Sequence, residues 1–238
     1  MTQLVNTKII LYHLYPGVII MLSMMLLIPV GIHYGFPPQF GMLLSIIIVA
    51  VPLLIVHLTK AKEIENKASI TELNGFTNKL SRGKLFLYTI MLLIFAFAIW
   101  RLTQPLDNLI TQNFFQWLPS WIIKPGFDGY SKDKILITLV INLLVNGLLA
   151  PYVEELYFRG YLLPRMKNWG KYAFVVNATL FSLYHFWQAN IYITLIITLL
   201  PMTYMVWKTK DIRLAILTHS LLNLIGALLL FALLNKDS

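Results

Sequence analysis

An all-α fold, a polytopic bundle of about seven transmembrane helices, is what this sequence predicts. Three observations lead there. Of 238 residues, 58% are hydrophobic and 12% charged, and the mean hydropathy of +0.71 lies far above that of an ordinary water-soluble domain. The apolar residues come in long runs separated by shorter polar stretches. The basic residues behind the net charge of +9 lie between those runs and form no single stripe. That placement points to membrane topology and anionic headgroups, and away from nucleic acid as a partner.

The first run, residues 17–34, follows a single Lys8 and has no small-residue cleavage site after it, as expected of an uncleaved span. Residues 40–58 form a second run with Pro52, a kink that membrane helices tolerate when neighbours satisfy the freed carbonyl. Residues 59–84 are polar and charged. Residues 85–100 make a short third span between Lys84 and Arg101. In the mixed segment 101–134, Trp and Phe at 114–123 alternate with Gln, Asn and Pro, the composition of an interfacial stretch. The fourth run, residues 135–158, would be roughly 36 Å long as one helix. Runs at 172–187, 191–207 and 214–234 complete the seven. Loops are short and no repeat is visible. Residues 1–238 therefore read as one integral membrane domain, with N-terminal spans over 17–100 and a core over 135–234 that carries the candidate chemistry.

Alternating seven spans puts Lys8, Lys60, Lys62, Lys67, Lys79, Arg82, Lys84, Arg159, Arg165, Lys167, Lys171, Lys208, Lys210 and Arg213 on one side. Arg101, Lys124, Lys132, Lys134 and Lys236 fall on the other. The positive-inside rule then makes the first side cytoplasmic, with the N-terminus inside and Ser238 outside.

Cysteine is absent. Disulfides, thiolate metal sites and cysteine nucleophiles are therefore excluded, and any chemistry falls to His, Glu, Asp, Ser and Thr. Of the ten acidic residues, eight read as lying in segments too polar for hydrocarbon. The other two are the neighbours Glu154 and Glu155, each at a cost of roughly 2.5–3.5 kcal/mol in a span. Glu155 and Arg159, four apart with the acid first, suit a pair along one helix face. Glu154 projects about 100° away. Glu155 with Arg159 is thus assigned to structure and Glu154 to chemistry, against the alternative of one ion cluster locking two helices together.

Asn142, Asn146, Ala150 and Glu154 follow one another at spacings of four, a polar face suited to a partner helix or a wet cavity. Pro151 removes a backbone donor just before Glu154, which fits either a bend that re-aims the carboxylate or a packing kink. Asn177, Phe181 and His185 repeat the spacing on the fifth run, and His219 with Asn223 on the seventh. His13, His33 and His57 sit at span edges and read as interfacial. Glu154, His185, His219 and Asn223 thus lie on three spans with inward faces. A carboxylate with a His can activate water while His and Asn stabilise an oxyanion. The set Glu154, His185 and His219 could equally hold a divalent metal such as zinc with one position open for water.

Three ordered motifs, Glu154-Glu155-x-x-x-Arg159, Phe181-x-x-x-His185 and His219-x-x-x-Asn223, resemble those of the CAAX protease and bacteriocin-processing family of intramembrane endopeptidases. The likeness covers roughly the last hundred residues. It implies an all-helical membrane enzyme that cleaves a peptide bond in a cavity open to the cytoplasmic half of the bilayer. By that resemblance Glu154 and His185 activate water, His219 and Asn223 stabilise the oxyanion, and Glu155, Arg159 and Phe181 support them. Family members are usually labelled metalloproteases, and a metal-free glutamate mechanism has also been argued. Seven spans, with only one between His185 and His219, look more like the compact branch linked to bacteriocin self-immunity, peptide maturation or export than like the eight-span processors of prenylated proteins. Two further classes compete: a non-catalytic immunity or binding protein that sequesters a peptide or membrane partner, and a small transporter whose buried carboxylates carry protons.

Depth sets a condition on the site. His185 lies roughly 20 Å along its span, whereas Glu154 is only about 9 Å from Gly160. The two meet only if the fourth helix runs on towards Pro164 or the helices tilt strongly.

Overall fold

The computed structural model describes residues 2–123 and 126–234, without the side chains of residues 120, 233 and 234. Lys124, Lys236 and Ser238 lie outside the described residues. Seven principal helices follow in order: α1 Asn6–His33, α2 Pro38–Ile64, α3 Arg82–Phe114, α4 Lys132–Arg165, α5 Ala173–Tyr184, α6 Tyr192–Thr209 and α7 Arg213–Leu234. No strand forms among the described residues, and one isolated antiparallel bridge joins Thr77 to Asp211.

Among the described residues, six segments are long and apolar enough to cross a membrane: Asn6–His33, Pro38–Ile64, Arg82–Phe114, Lys132–Arg165, Phe186–Thr209 and Arg213–Ala232. The protein is a multi-pass helical membrane protein. The fifth expected run, residues 172–187, forms a shorter helix than its hydropathy implies. It ends as the 12-residue α5, about 18 Å long against a hydrocarbon core of about 30 Å. Hydropathy continues through this run, but the backbone leaves the helix at His185, where φ is −80° and ψ is 59°. A 3₁₀ stretch, Phe186–Ile191, then leads into α6, which packs back against α5.

Helices also run further than their apolar cores. α1 starts at Asn6 and carries Pro16 and Pro29 inside it. Ser81 caps α3 by accepting from the Lys84 N–H, and the helix continues through Pro105 to Phe114. This places Asp107 on a membrane-length helix, contrary to its reading as part of a polar segment. Its carboxylate accepts from Thr194 Oγ1 of α6 at 2.8 Å, the partner that makes an acid tolerable there.

α4 contains two π-turns, Val145–Leu149 and Leu156–Leu162, on either side of a short α-helical turn, Ala150–Glu155. Pro151 supplies no backbone donor and sits at the junction, where the four-residue hydrogen-bond ladder cannot run unbroken. α4 then continues past Gly160 to Arg165, which meets the depth condition. Close packing fixes its neighbours. A Cβ on Gly147 would lie 2.5 Å from Leu224 of α7, and one on Gly17 of α1 would lie 2.1 Å from the Tyr184 carbonyl oxygen of α5.

The segments richest in basic residues gather on one face. The Leu4 N–H donates to the Arg165 carbonyl at 3.2 Å. The Arg165 guanidinium binds both oxygens of Glu65 at 2.9 Å and also donates to the carbonyls of Leu73 and Tyr161. The Asn78 N–H reaches the Lys210 carbonyl at 3.0 Å. Asp211 accepts from the Leu80 N–H at 2.8 Å and pairs with Arg213 at 2.6 Å. On the opposite face Lys134 donates to the Tyr34 carbonyl.

Candidate active site

Glu154, His185, His219 and Asn223 line one cavity of about 170 Å³ between α4, the end of α5 and α7. Each is half-buried. Glu155, Arg159 and Phe181 are fully buried beside it. The 100° offset between the two glutamates therefore has a physical outcome: Glu154 meets the cavity and Glu155 meets protein.

Glu155 Oε1 accepts from Arg159 Nη1 at 3.1 Å and from His219 Nδ1 at 2.9 Å. Arg159 Nη2 donates to Thr203 Oγ1 of α6 at 3.3 Å, and its guanidinium carbon lies 3.9 Å from the centroid of the Phe181 ring. One carboxylate thus joins α4 and α7, and one guanidinium joins α4, α5 and α6. Removing a partner from such a pair leaves an uncompensated charge in a dry interior.

Glu154 Oε1 accepts from the Tyr184 hydroxyl at 3.2 Å, and Glu154 Oε2 lies 4.0 Å from His219 Nε2. His185 Nδ1 donates to the Phe181 carbonyl at 2.9 Å. This bond assigns the proton to Nδ1 and leaves the Nε2 lone pair as an acceptor. Asn223 Nδ2 donates one hydrogen to the Asn146 carbonyl at 2.8 Å, and the amide carries a second donor.

Tyr184 and Thr203 were missed by sequence reasoning. A signal for Tyr184 existed: a tyrosine deep in an apolar run needs a partner for its hydroxyl. Asn177, on the same spacing as Phe181 and His185, stands apart from the cavity. It is buried and donates to His13 and to the Phe158 carbonyl. His13 is itself fully buried, which corrects its reading as interfacial. α1 begins about three turns earlier than the apolar run, so His13 lies inside the bundle. His57, well within α2, is hydrogen-bonded through Nδ1 with the Tyr15 hydroxyl at 2.8 Å.

Among the described residues no group of three or more His, Asp and Glu side chains is placed to hold a metal ion.

Residues 136–225 match the family model described as Type II CAAX prenyl endopeptidase Rce1-like. Over this segment the chain is similar to the CAAX protease and bacteriocin-processing family. The segment holds all three motifs, with Glu154, His185, His219 and Asn223 of the cavity. No curated protein and no solved structure matches the chain.

Proposed function

We propose that this protein is an intramembrane endopeptidase of the glutamate type, with Glu154 as general base. The observation that carries the reading is the convergence of Glu154, His185, His219 and Asn223 on one small cavity inside a membrane bundle. At about 170 Å³ the cavity admits a peptide unit and a water molecule, not a folded segment.

In this reading a water molecule between Glu154 and His185 Nε2 gives a proton to Glu154 as its oxygen attacks the scissile carbonyl carbon. Negative charge develops on the carbonyl oxygen. The free hydrogen of Asn223 Nδ2 and a proton on His219 Nε2 donate to it, with the Glu155 carboxylate balancing the imidazolium charge through Nδ1. Glu154 then returns its proton to the amide nitrogen as the C–N bond breaks, leaving a carboxylic acid and an amine, and the acid proton passes to the amine to give carboxylate and ammonium. Tyr184 holds the Glu154 carboxylate in the attacking orientation. The basic face would be cytoplasmic, as the charge bias requires.

Purified protein in lipid nanodiscs tests the proposal. Glu154→Gln and His185→Ala should each lower cleavage of membrane-derived peptides roughly a hundredfold or more while the protein remains monodisperse. A strong chelator should leave the wild-type rate unchanged. Retained cleavage in Glu154→Gln would remove the general base, and activity lost to chelation and restored by zinc would favour a metal set. Unchanged binding or protection by an inactive variant would instead fit a sequestering protein.

A further inference from the structure

The cavity at Glu154 shares a wall with a second cavity of about 310 Å³. Ile46, Asn146, Trp187 and Gln188 border both. The second chamber extends away from the basic face, to Ile122 and Ile123 of the single helical turn between α3 and α4. Its chemistry is unusual for a membrane interior. Among the described residues, five carboxamides line it, from Gln39, Asn142, Asn146, Gln188 and Asn190, and no ionisable side chain does. Asn190 donates to Thr111 Oγ1 at 3.1 Å. The side chains of Asn142, Asn146 and Gln188 are hydrogen-bonded to no described residue.

A carboxamide offers two donors and an acceptor, the same groups that a peptide unit seeks when it leaves water. A charged side chain finds no counter-charge there and keeps its full desolvation cost. Geometry supplies the direction. Asn142, Asn146, Ala150 and Glu154 run along α4 from the outer chamber to the carboxylate, a path of about 18 Å. An extended peptide covers that distance in about five residues.

We propose that this chamber binds the uncharged, extended peptide segment next to the scissile bond, with the Asn142, Asn146 and Gln188 carboxamides replacing water on its backbone. The proposal rests on the peptidase reading and names the substrate class of that site: a neutral stretch of about five residues.

The cysteine-free chain allows a direct test. Asn142→Cys and Gln188→Cys are each placed in a Glu154→Gln background in nanodiscs, with Ser69→Cys on the basic face as a control. Maleimide labelling is timed with a hexapeptide mixture randomised over uncharged residues, and with a matched mixture carrying Lys or Asp at the third position. The neutral mixture should slow labelling at both chamber cysteines about tenfold more than the charged mixture, a difference of about 1.4 kcal/mol, and leave Ser69→Cys unaffected. Equal protection by both mixtures, or protection by neither, overturns the proposal. Cleavage of the same mixtures by protein with Glu154 intact separates the two readings. Protection without cleavage keeps the chamber and removes the peptidase. Cleavage without selective protection does the reverse.

Discussion

Glu154 and Glu155 are chemically identical and adjacent, yet one is half-buried at a cavity and the other is sealed between Arg159 and His219. That division was legible, because one step along a helix rotates a side chain by about 100°. The partners that complete the site were not. Tyr184 and Thr203 reach Glu154 and Arg159 across helix interfaces, and no local spacing encodes an interhelical contact. Two predictions belong here. Tyr184→Phe removes the donor to Glu154 while keeping the ring, so kcat/KM should fall roughly tenfold, with thermal stability in detergent nearly unchanged. Glu155→Gln leaves the Arg159 charge unmatched in a sealed site, so thermal unfolding should show a loss of about 3–5 kcal/mol, well beyond that for Glu154→Gln. Equal destabilisation by the two glutamate variants would contradict the division of roles.

At the scale of the helix, hydropathy located six of the membrane-length segments but misjudged their ends. Polar extensions such as residues 101–114 of α3 and 159–165 of α4 carry too little apolar signal to be counted, although backbone hydrogen bonding continues through them. The error was largest at α5, where an apolar run stops being a helix at His185. That break helps the site, since it leaves His185 at a helix end within the bundle. The π-turns of α4 also escaped the sequence, with Pro151 as their one visible trace. α1 was read only as a span, but Gly17 sets the distance to Tyr184. Gly17→Leu should therefore push α5 from its seat at a cost of about 1–3 kcal/mol and lower cleavage further than that loss of stability explains. Gly83, with open space where a Cβ would go, gives the matched control: Gly83→Leu should leave both the melting temperature and the rate near wild type.

Across the molecule, the charge bias read from the loops corresponds to one assembled face, on which the Glu65–Arg165 pair and the bonds of Asp211 and Arg213 to the Leu80 backbone tie the N-terminal segments to the core. Burial raises both carboxyls, but hydrogen bonds and charge from Arg165 hold Glu65 below its usual value. Burial likewise raises Asp211, and the Arg213 side chain with the Leu80 and Arg213 N–H groups brings it below its usual value. A depressed carboxyl stabilises the fold above its unfolded pKa, and that stability is lost as pH falls through the folded pKa. Thermal stability should thus hold near neutral pH and fall below about pH 4, with a smaller acid loss in Asp211→Asn. An acid loss identical in Asp211→Asn would remove Asp211 as its source. The central claim is hydrolysis of a peptide bond with Glu154 as base. Its most direct test is mass spectrometry of new peptide termini in membranes incubated in heavy-oxygen water, comparing wild type with Glu154→Gln at matched levels. The account predicts defined cut sites whose new carboxyl groups carry the heavy oxygen in wild type and vanish in the variant. Identical termini in both samples would contradict it.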